Sequence, residues 1–207
     1  FSNSFDASFN PHIALQKSWK NQILNISYSE GYNAPTSSTS FIGTINAVND
    51  SLMPEKAKMV DVSLQGLLFN TQLDYQISWF DMTVDNKLTQ LNGKDPVSGT
   101  AYTYWANSGT QHNTGFEASL GYAWIPKKKD FIITRIEPFA SLSQYNFKYK
   151  EFSTKFGSGN VDYSGKKVVG VPATKFTIGL DVNTKVGLYL NGTFNSIGDV
   201  FTDFANT

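Results

Sequence analysis

The segment Thr114–Trp124, TGFEASLGYAW, decides the fold class because large apolar side chains alternate along it with small or polar ones. The apolar members occupy every second position: Phe116, Ala118, Leu120, Tyr122 and Trp124. The positions between them carry Glu117, Ser119 and Gly121. A period of two with one apolar and one polar face is typical of a β-strand that lies between two different environments. The segment therefore predicts a strand that is long compared with those of soluble sheets.

The same alternation recurs on both sides of this segment. Further apolar series with a period of two start at Leu24, Val60, Leu73 and Phe176. The links between the series are alternately short and long, and the long ones are rich in Gly, Ser, Thr, Asn and Pro, which favour turns and solvated loops. We predict eight strands, at about residues 3–19, 22–32, 58–70, 71–86, 108–125, 131–150, 172–183 and 186–197. The long links lie at residues 32–57, 85–105 and 150–172.

This order of elements predicts an all-β protein, an antiparallel transmembrane β-barrel. Strands of about 9–11 residues cross the outer membrane, and such barrels have short turns at one end and long loops at the other. Aromatic side chains near the short turns are Trp19, Tyr122, Trp124 and Phe131. Those near the long loops are Tyr28, Tyr32, Trp79, Phe80, Tyr145, Phe147 and Tyr149. We interpret the two groups as the interfacial girdles of a barrel.

The polar faces of the predicted strands argue for a wide lumen. Their side chains are mostly small: Ser27, Ser63, Ser78, Ser119, Gly121 and Gly179. A closed barrel of only eight strands needs larger side chains to fill its interior. We therefore expect these eight strands to be part of a larger barrel.

The composition argues against several classes of function. The 207 residues carry 17 basic and 17 acidic side chains, so no net positive charge attracts nucleic acid, and we expect no nucleic-acid partner. The chain has no Cys and only two His, His12 and His112, which leaves no recognisable metal or cofactor signature. Its apolar runs are too short for a membrane-spanning helix.

Three motifs, in this order, carry a family resemblance. Tyr28–Thr36 reads YSEGYNAPT, Leu52–Ala57 reads LMPEKA, and Asn107–Glu117 reads NSGTQHNTGFE. They resemble the Y-S-x-G-F/Y-x-A-P, L-x-P-E-x and N-x-G-x-x-x-x-x-G-x-E segments of TonB-dependent outer-membrane receptors. The resemblance covers most of residues 9–200.

The resemblance implies the later part of a 22-stranded barrel that is filled by an N-terminal plug domain. We expect residues 1–207 to form a partial barrel domain, with the plug domain and the last strands outside it. The start at Phe1, without an initiator Met or a signal-peptide pattern, fits a processed or excised piece.

The resemblance also implies a function and partners. Receptors of this family lie in the bacterial outer membrane and import scarce nutrients, such as ferric siderophores, with energy from TonB. The implied partners are the TonB complex through the plug, the lipid bilayer and its lipopolysaccharide, and a small nutrient ligand. The resemblance implies a transporter and not an enzyme.

Candidate site residues come from the predicted loops and the polar strand faces. Aromatic rings stack on flat ligands, which makes the following residues ligand-binding candidates, together with one histidine: Tyr32, Phe41, Tyr104, Trp105, His112 and Tyr163. Loop aromatics also pack against one another, so that interpretation stays open. Glu117 is the candidate contact with the plug, through a basic plug residue, and hydration of the lumen is its alternative role.

Two other functions stay open at this point. The first is a self-contained small outer-membrane barrel that acts as a porin, an adhesin or a structural protein. The second is an outer-membrane hydrolase in which His112 activates a neighbouring hydroxyl group, Ser108 or Thr110. An intact mass well above 23 kDa favours the importer, and loss of hydrolysis in His112→Ala favours the enzyme.

Overall fold

The structure, a computed structural model, describes residues 7–127, 130–156 and 159–207. Strands make up most of these residues. In chain order the strands are β1 (His12–Trp19), β2 (Gln22–Asn33), β3 (Phe41–Ile42), β4 (Ala47–Val48), β5 (Glu55–Leu68), β6 (Leu73–Asp85), β7 (Leu88–Lys94), β8 (Ala101–Asn107), β9 (Thr110–Tyr122), β10 (Ile133–Glu151), β11 (Ser153–Phe156), β12 (Gly159–Asp162), β13 (Thr174–Thr184) and β14 (Tyr189–Ile197). One α-helix, α1 (Ser37–Ser40), and one 3-10 helix (Gly43–Ile45) interrupt them. None of the helices in the described part of the chain is long and apolar enough to cross a membrane.

Eight strands form one antiparallel sheet in the order β1-β2-β5-β6-β9-β10-β13-β14. Each strand pairs with its neighbours along the chain, so the sheet is a meander with inserted loops. The eight strands and the antiparallel class that the sequence predicts are confirmed. The first predicted strand begins too early, because the strand starts at His12, and residues 3–6 lie outside the described part.

Three of the four links at one end of the sheet are tight turns. Lys20 and Asn21 join β1 to β2, and the backbone of Lys20 is left-handed, with φ 50°. Between β5 and β6, Phe69, Asn70 and Thr71 all have positive φ. Gly187, with φ 84°, lies in the link from β13 to β14. We call this end of the sheet, where the tight turns lie, the short-turn end, and we call the opposite end the long-loop end.

The long links are more ordered than the sequence predicts. Each carries a two-stranded hairpin: β3 with β4, β7 with β8, and β11 with β12. The β7–β8 hairpin pairs seven residues on each side, from Leu88 opposite Asn107 to Lys94 opposite Ala101. Residues 85–105 are therefore not a simple solvated loop, as predicted, but a hairpin that extends beyond the sheet.

One face of the sheet carries a continuous apolar band. Its members lie side by side across the strands and are exposed: Leu15, Ile26, Val60, Ile77, Trp79, Phe116, Leu120, Phe176, Ile178, Leu180 and Phe194. On β9 and just beyond it, the alternate positions from Phe116 to Trp124 extend over about 27 Å at ~3.4 Å per residue. In strands tilted by about 35–45°, this length gives a height of roughly 19–22 Å, close to the ~25 Å apolar band of a membrane barrel. We call this face the outer face.

The apolar band gives way to polar side chains toward the long-loop end. The row from Tyr28 through Val60, Asp81 and Thr114 to Asn146 is mixed. The row after it is polar and runs from Glu30 through Lys58, Thr83 and His112 to Lys148, each opposite the next. Trp79 and Tyr28 lie below this row on the same face. The transition from apolar to charged side chains marks where the membrane surface meets the sheet.

The inner face carries the small polar side chains, and it also carries aromatic ones. Phe80 lies opposite Gly115, and Gly115 lies opposite Tyr145. A Cβ atom on Gly115 would approach the Phe80 ring to 2.3 Å, and one on Gly179 would approach the Phe139 ring to 2.1 Å. The rings therefore lie flat over glycines of the neighbouring strands. The prediction that Phe80, Tyr145, Phe147 and Tyr149 form part of an outer girdle is wrong, because their registers place them on the inner face.

Candidate functional site

The inner face contains one patch where charged and aromatic side chains meet. Glu117 accepts a hydrogen bond from the Tyr145 hydroxyl at 2.5 Å, and the Lys175 ammonium group lies 5.9 Å from the centre of the Tyr145 ring. Phe80 and Phe147 lie beside Tyr145, with ring centres 6.3 and 5.3 Å from it. Asp61 is on the same face, opposite Phe80. We call these six residues the inward patch.

The inward patch carries groups of both charges. The carboxylates of Glu117 and Asp61, the Lys175 ammonium group and the Tyr145 hydroxyl lie on the inner face among the aromatic rings. The Tyr145 hydroxyl fixes one oxygen of Glu117 and leaves the other free to accept from a donor in the lumen. The prediction that Glu117 lies on the lumenal face is consistent with the register, and its role stays a prediction.

An aromatic cluster forms a second feature, beyond the long-loop end of the sheet. Phe152 is the most deeply buried large side chain among the described residues, at 1% exposure, and Tyr149 beside it is 3% exposed. The ring centres of Tyr149, Phe204 and Tyr163 lie 4.8, 5.0 and 5.3 Å from that of Phe152. Leu91 and Tyr104 of the β7–β8 hairpin pack against the same cluster. We call this assembly the loop cluster.

Hydrogen bonds from two asparagines tie the long links together. The Asn107 side chain accepts from the Met53 amide at 2.7 Å and donates to the Met53 and Asn86 carbonyl groups at 2.8 and 2.7 Å. Asn206 accepts from the Lys167 amide at 2.6 Å and donates to the Lys167 carbonyl group at 3.0 Å. The segment after β14 is therefore folded back onto the link between β10 and β13.

Glu55 anchors the base of the β7–β8 hairpin. One carboxylate oxygen accepts from the Lys87 ammonium group at 2.7 Å and from the Leu88 amide at 2.8 Å, and the other accepts from Asn33 at 2.8 Å. Burial alone would raise the pKa of Glu55, but these hydrogen bonds from Lys87, Asn33 and Leu88 outweigh it and hold the pKa below its ordinary value.

The lowered pKa of Glu55 predicts that the hairpin base loosens in acid. Its stabilising contribution is complete above the ordinary pKa of 4.5 and is lost as the pH falls through the lower folded value. We expect hydrogen-exchange protection of the Leu88 amide, corrected for the intrinsic rate, to decrease as the pH is lowered from 4.5 through the folded-state pKa of Glu55. In Glu55→Gln, protection should be lower at neutral pH and should change little with acidification. An equal pH dependence in this variant would contradict the assignment.

The predicted ligand-binding residues lie in different surroundings. Tyr104 and Tyr163 both belong to the loop cluster, where Tyr163 packs against Phe152 and Phe204. Phe41 is 51% exposed, and Trp105 lies on the opposite face of the hairpin, where its carbonyl group accepts from Asn49 at 2.8 Å. These contacts neither require nor exclude a ligand.

Tyr32 and His112 lie on the outer face rather than in the lumen. Tyr32 lines a cavity of about 350 Å³ beside Lys56 and Lys58. The His112 Nε2 atom lies 2.9 Å from an Asp81 carboxylate oxygen. The structure thus gives His112 a carboxylate partner on the outer face, and the ligand role of the six residues stays a prediction.

The third family motif has a geometric basis. Asn107 forms the three side-chain hydrogen bonds described above. Gly109 has φ 111°, and a Cβ atom added there would lie 2.1 Å from the Glu151 carbonyl oxygen. Gly115 accommodates the Phe80 ring, and Glu117 is bound by Tyr145. Sequence reasoning identified Glu117 and placed Asn107 in a family motif without a role, and it missed Phe152 and Phe204. The available signal for the inward patch was Gly115, which lies opposite both Phe80 and Tyr145 and leaves room for an aromatic ring on the inner face.

A cleft lies at the tip of the β7–β8 hairpin. It has a volume of about 990 Å³ and is lined by Asn92, Lys94, Asp95 and Tyr102. The Tyr102 ring lies flat over Gly93, where a Cβ atom would approach it to 2.6 Å. The amides of Val97 and Ser98 donate to Asp95, which lowers the pKa of that carboxyl group. The described residues contain no group of three or more His, Cys, Asp or Glu side chains placed to hold a metal ion.

Comparisons with known proteins agree with this architecture. The solved structure titled "Copper transporter OprC" is 15% identical over 90% of this chain, with a TM-score of 0.64, and the match covers 26% of that chain. The siderophore receptor PirA from Acinetobacter baumannii is 14% identical over 90% of this chain, with a TM-score of 0.57, and the match covers 28% of that chain. At these identities the likeness shows the fold alone, and the chain spans about a quarter of the length of each structure. No curated protein matches the chain.

A family model extends the agreement from fold to family. The model described as "TonB dependent receptor-like, beta-barrel" matches residues 1–207. The family is located in the bacterial outer membrane, which accounts for the exposed apolar band and for the long strands of the sheet. The predicted family, fold class and location are confirmed: the chain belongs to the TonB-dependent receptor β-barrel family.

Proposed function

We propose that this chain forms part of the barrel wall and the extracellular loops of an importer for a scarce nutrient, such as a ferric siderophore. The observation that carries the proposal is the two-sided sheet, which has an apolar outer face and a charged and aromatic inward patch. In this proposal the long-loop end is extracellular, the short-turn end is periplasmic, and the remaining strands and a plug domain belong to the same protein. Transport is driven by the TonB complex through the plug.

An organic ligand fits the surfaces that face the outside. The cleft at the hairpin tip combines the exposed side of the Tyr102 ring with amide, ammonium and carboxylate groups. Its volume, about 990 Å³, lies at the upper end of what small-molecule sites occupy, ~300–1,000 Å³. This combination supports a chelate with an organic framework over a bare metal ion.

The proposal is tested by uptake in cells that lack the native gene. The complete receptor, supplied on a plasmid, should restore uptake of iron given as a ferric siderophore, and the uptake should disappear when TonB is deleted. Copper ions given alone serve as the comparison, because the solved relatives carry titles that name different cargo. TonB-dependent uptake of copper alone would overturn the siderophore assignment. If deletion of TonB reduced the uptake of neither iron nor copper, the importer proposal would be overturned. An intact mass near 23 kDa would favour a small self-contained barrel instead.

We also propose that Glu117 holds the plug by accepting from a basic plug residue. Glu117→Gln should weaken this contact, because the charge-assisted hydrogen bond becomes a neutral one of roughly half the strength. The expected result is increased entry of a large antibiotic that does not cross the intact outer membrane, measured as a lower inhibitory concentration. Glu151→Gln is the matched control, since Glu151 is exposed near the loops. Equal sensitivity of the parent and Glu117→Gln would leave Glu117 as a hydrated lumenal residue.

A further inference from the structure

Two lysines lie directly opposite each other on the outer face, above the apolar band. Lys148 of β10 forms an antiparallel bridge with Lys167, which lies in the link between β10 and β13. The Tyr149 amide donates to the Lys166 carbonyl group at 3.0 Å, and the Val168 amide donates to the Phe147 carbonyl group at 3.0 Å. This pattern makes Lys148 and Lys167 a non-hydrogen-bonded pair, in which the Cα atoms are only about 4.5 Å apart and the side chains are closest.

The two like charges are not compensated within the described part of the chain. No carboxylate oxygen lies within 4 Å of either ammonium group among the described residues. Asp81 is on the same face, but its carboxylate is bound to His112, whose position is directly opposite Lys148. Like charges placed opposite each other destabilise an antiparallel pair. The arrangement is therefore unfavourable unless an anion lies between or above the two ammonium groups.

A cavity leads from Lys167 down into the apolar band. Its volume is about 430 Å³, and its wall changes in character with depth. Lys167 lies at the upper end, Asn146 and Thr114 lie one row below it, and Gln144, Phe116 and Trp79 share the next row and form the lower end. A ligand that fits this gradient is anionic at one end, polar in the middle and apolar at the other end.

We propose that this surface binds the phosphorylated headgroup of an outer-leaflet lipid. The occupant is the phosphorylated sugar headgroup of lipid A: the phosphate is held by Lys148 and Lys167, the sugar contacts Asn146 and Thr114, and the acyl chains lie along Trp79 and Phe116. The charge complementarity and the change of wall chemistry at the membrane surface both favour a lipid over a soluble anion. The inference rests on the proposed orientation of the sheet in the membrane, and it does not depend on which nutrient is imported.

The test is native mass spectrometry of the complete receptor, purified from outer membranes in mild detergent. The parent should retain phosphorylated lipid, and Lys148→Gln/Lys167→Gln should retain roughly tenfold less, because each lysine near an anionic lipid surface contributes to its binding. The matched control is Lys56→Gln/Lys58→Gln, which removes two outer-face lysines at a similar height on β5. This control should retain lipid at the parental level. Lys148→Arg/Lys167→Arg should also bind lipid, which separates charge from folding.

Three further readouts make each outcome decisive. Re-binding of bisphosphorylated lipid A to delipidated receptor should exceed that of its dephosphorylated form, and added inorganic phosphate should not compete. Equal lipid retention in the parent and the Gln variant would overturn the site, and so would competition by inorganic phosphate alone. Equal loss in both Gln variants would show general surface charge and would also overturn it. Nutrient uptake is measured on the same variants, so failure of the lipid site is distinguishable from failure of the importer.

Discussion

Gly109→Ala is expected to destabilise the complete receptor by roughly 3 kcal/mol or more. Gly109 has φ 111°, which L side chains rarely adopt, and that backbone conformation alone costs about 1–3 kcal/mol. The added Cβ atom would lie 2.1 Å from the Glu151 carbonyl oxygen and 2.8 Å from its carbon. Backbone atoms of a paired strand cannot move aside as a side-chain end can. The turn from β8 into β9 would therefore have to separate from β10.

A matched glycine isolates the effect of the clash. Gly187 also has a positive φ, 84°, but a Cβ atom there would meet no atom within 4 Å. Gly187→Ala should therefore cost only the backbone term, about 1 kcal/mol. The two variants are compared by urea unfolding in detergent micelles, followed by tryptophan fluorescence, with midpoints compared at equal m values. Equal shifts of the two midpoints would show that the contact with Glu151 relaxes without cost.

Truncation of Phe152 is expected to loosen the loops without unfolding the sheet. Phe152→Ala removes the centre of the loop cluster, and replacement of a fully buried Phe by Ala costs about 3–5 kcal/mol. The amide of Gly165 donates to the Tyr149 carbonyl group, and that of Gly170 donates to the Phe201 carbonyl group. Hydrogen-exchange protection of these two amides should fall roughly hundredfold. Protection in β6 and β9 should stay at its parental level.

The control for this variant is Phe41→Ala, in the long link between β2 and β5. Phe41 is 51% exposed, so its truncation removes little buried surface and should change protection at Gly165 and Gly170 less than about threefold. If Phe152→Ala left both amides protected, the rings would be packed without stabilising the loops. If protection were lost in β6 and β9 as well, the cluster would be part of one cooperative unit with the sheet.

The sequence predicts the eight strands well because each separates an apolar from a polar environment, and that difference is repeated at every second residue. The strand ends agree within about three residues for seven of the eight strands. The β7–β8 hairpin was not predictable by the same reasoning. Gly93, Pro96 and Gly99 are typical of loops, and both faces of the hairpin contact other parts of the protein. A segment with two similar faces shows no alternation to recognise.

The side of the sheet on which an aromatic residue lies was predicted less well than its height. Phe80 and Tyr145 were assigned to a girdle because they lie close to the loops. However, Phe80 is two residues from Ser78 and Tyr145 is two residues from Ser143, so each lies on the inner face with that serine. Glu117 was found because a carboxylate stands out on a polar face. The Lys148–Lys167 pair was beyond sequence reasoning, since it depends on the register between a strand and an irregular link.

The folded-back segment after β14 bears on how such receptors diversify. Phe204 enters the loop cluster, and Asn206 holds Lys167 by two hydrogen bonds, so three successive segments at the long-loop end share one set of contacts. A change of length near Phe152, Tyr163 or Phe204 in one segment is therefore expected to disturb the other two. We expect insertions to be tolerated best at the hairpin tip, residues 95–100, and recombination between relatives to succeed when it exchanges the three segments as a block.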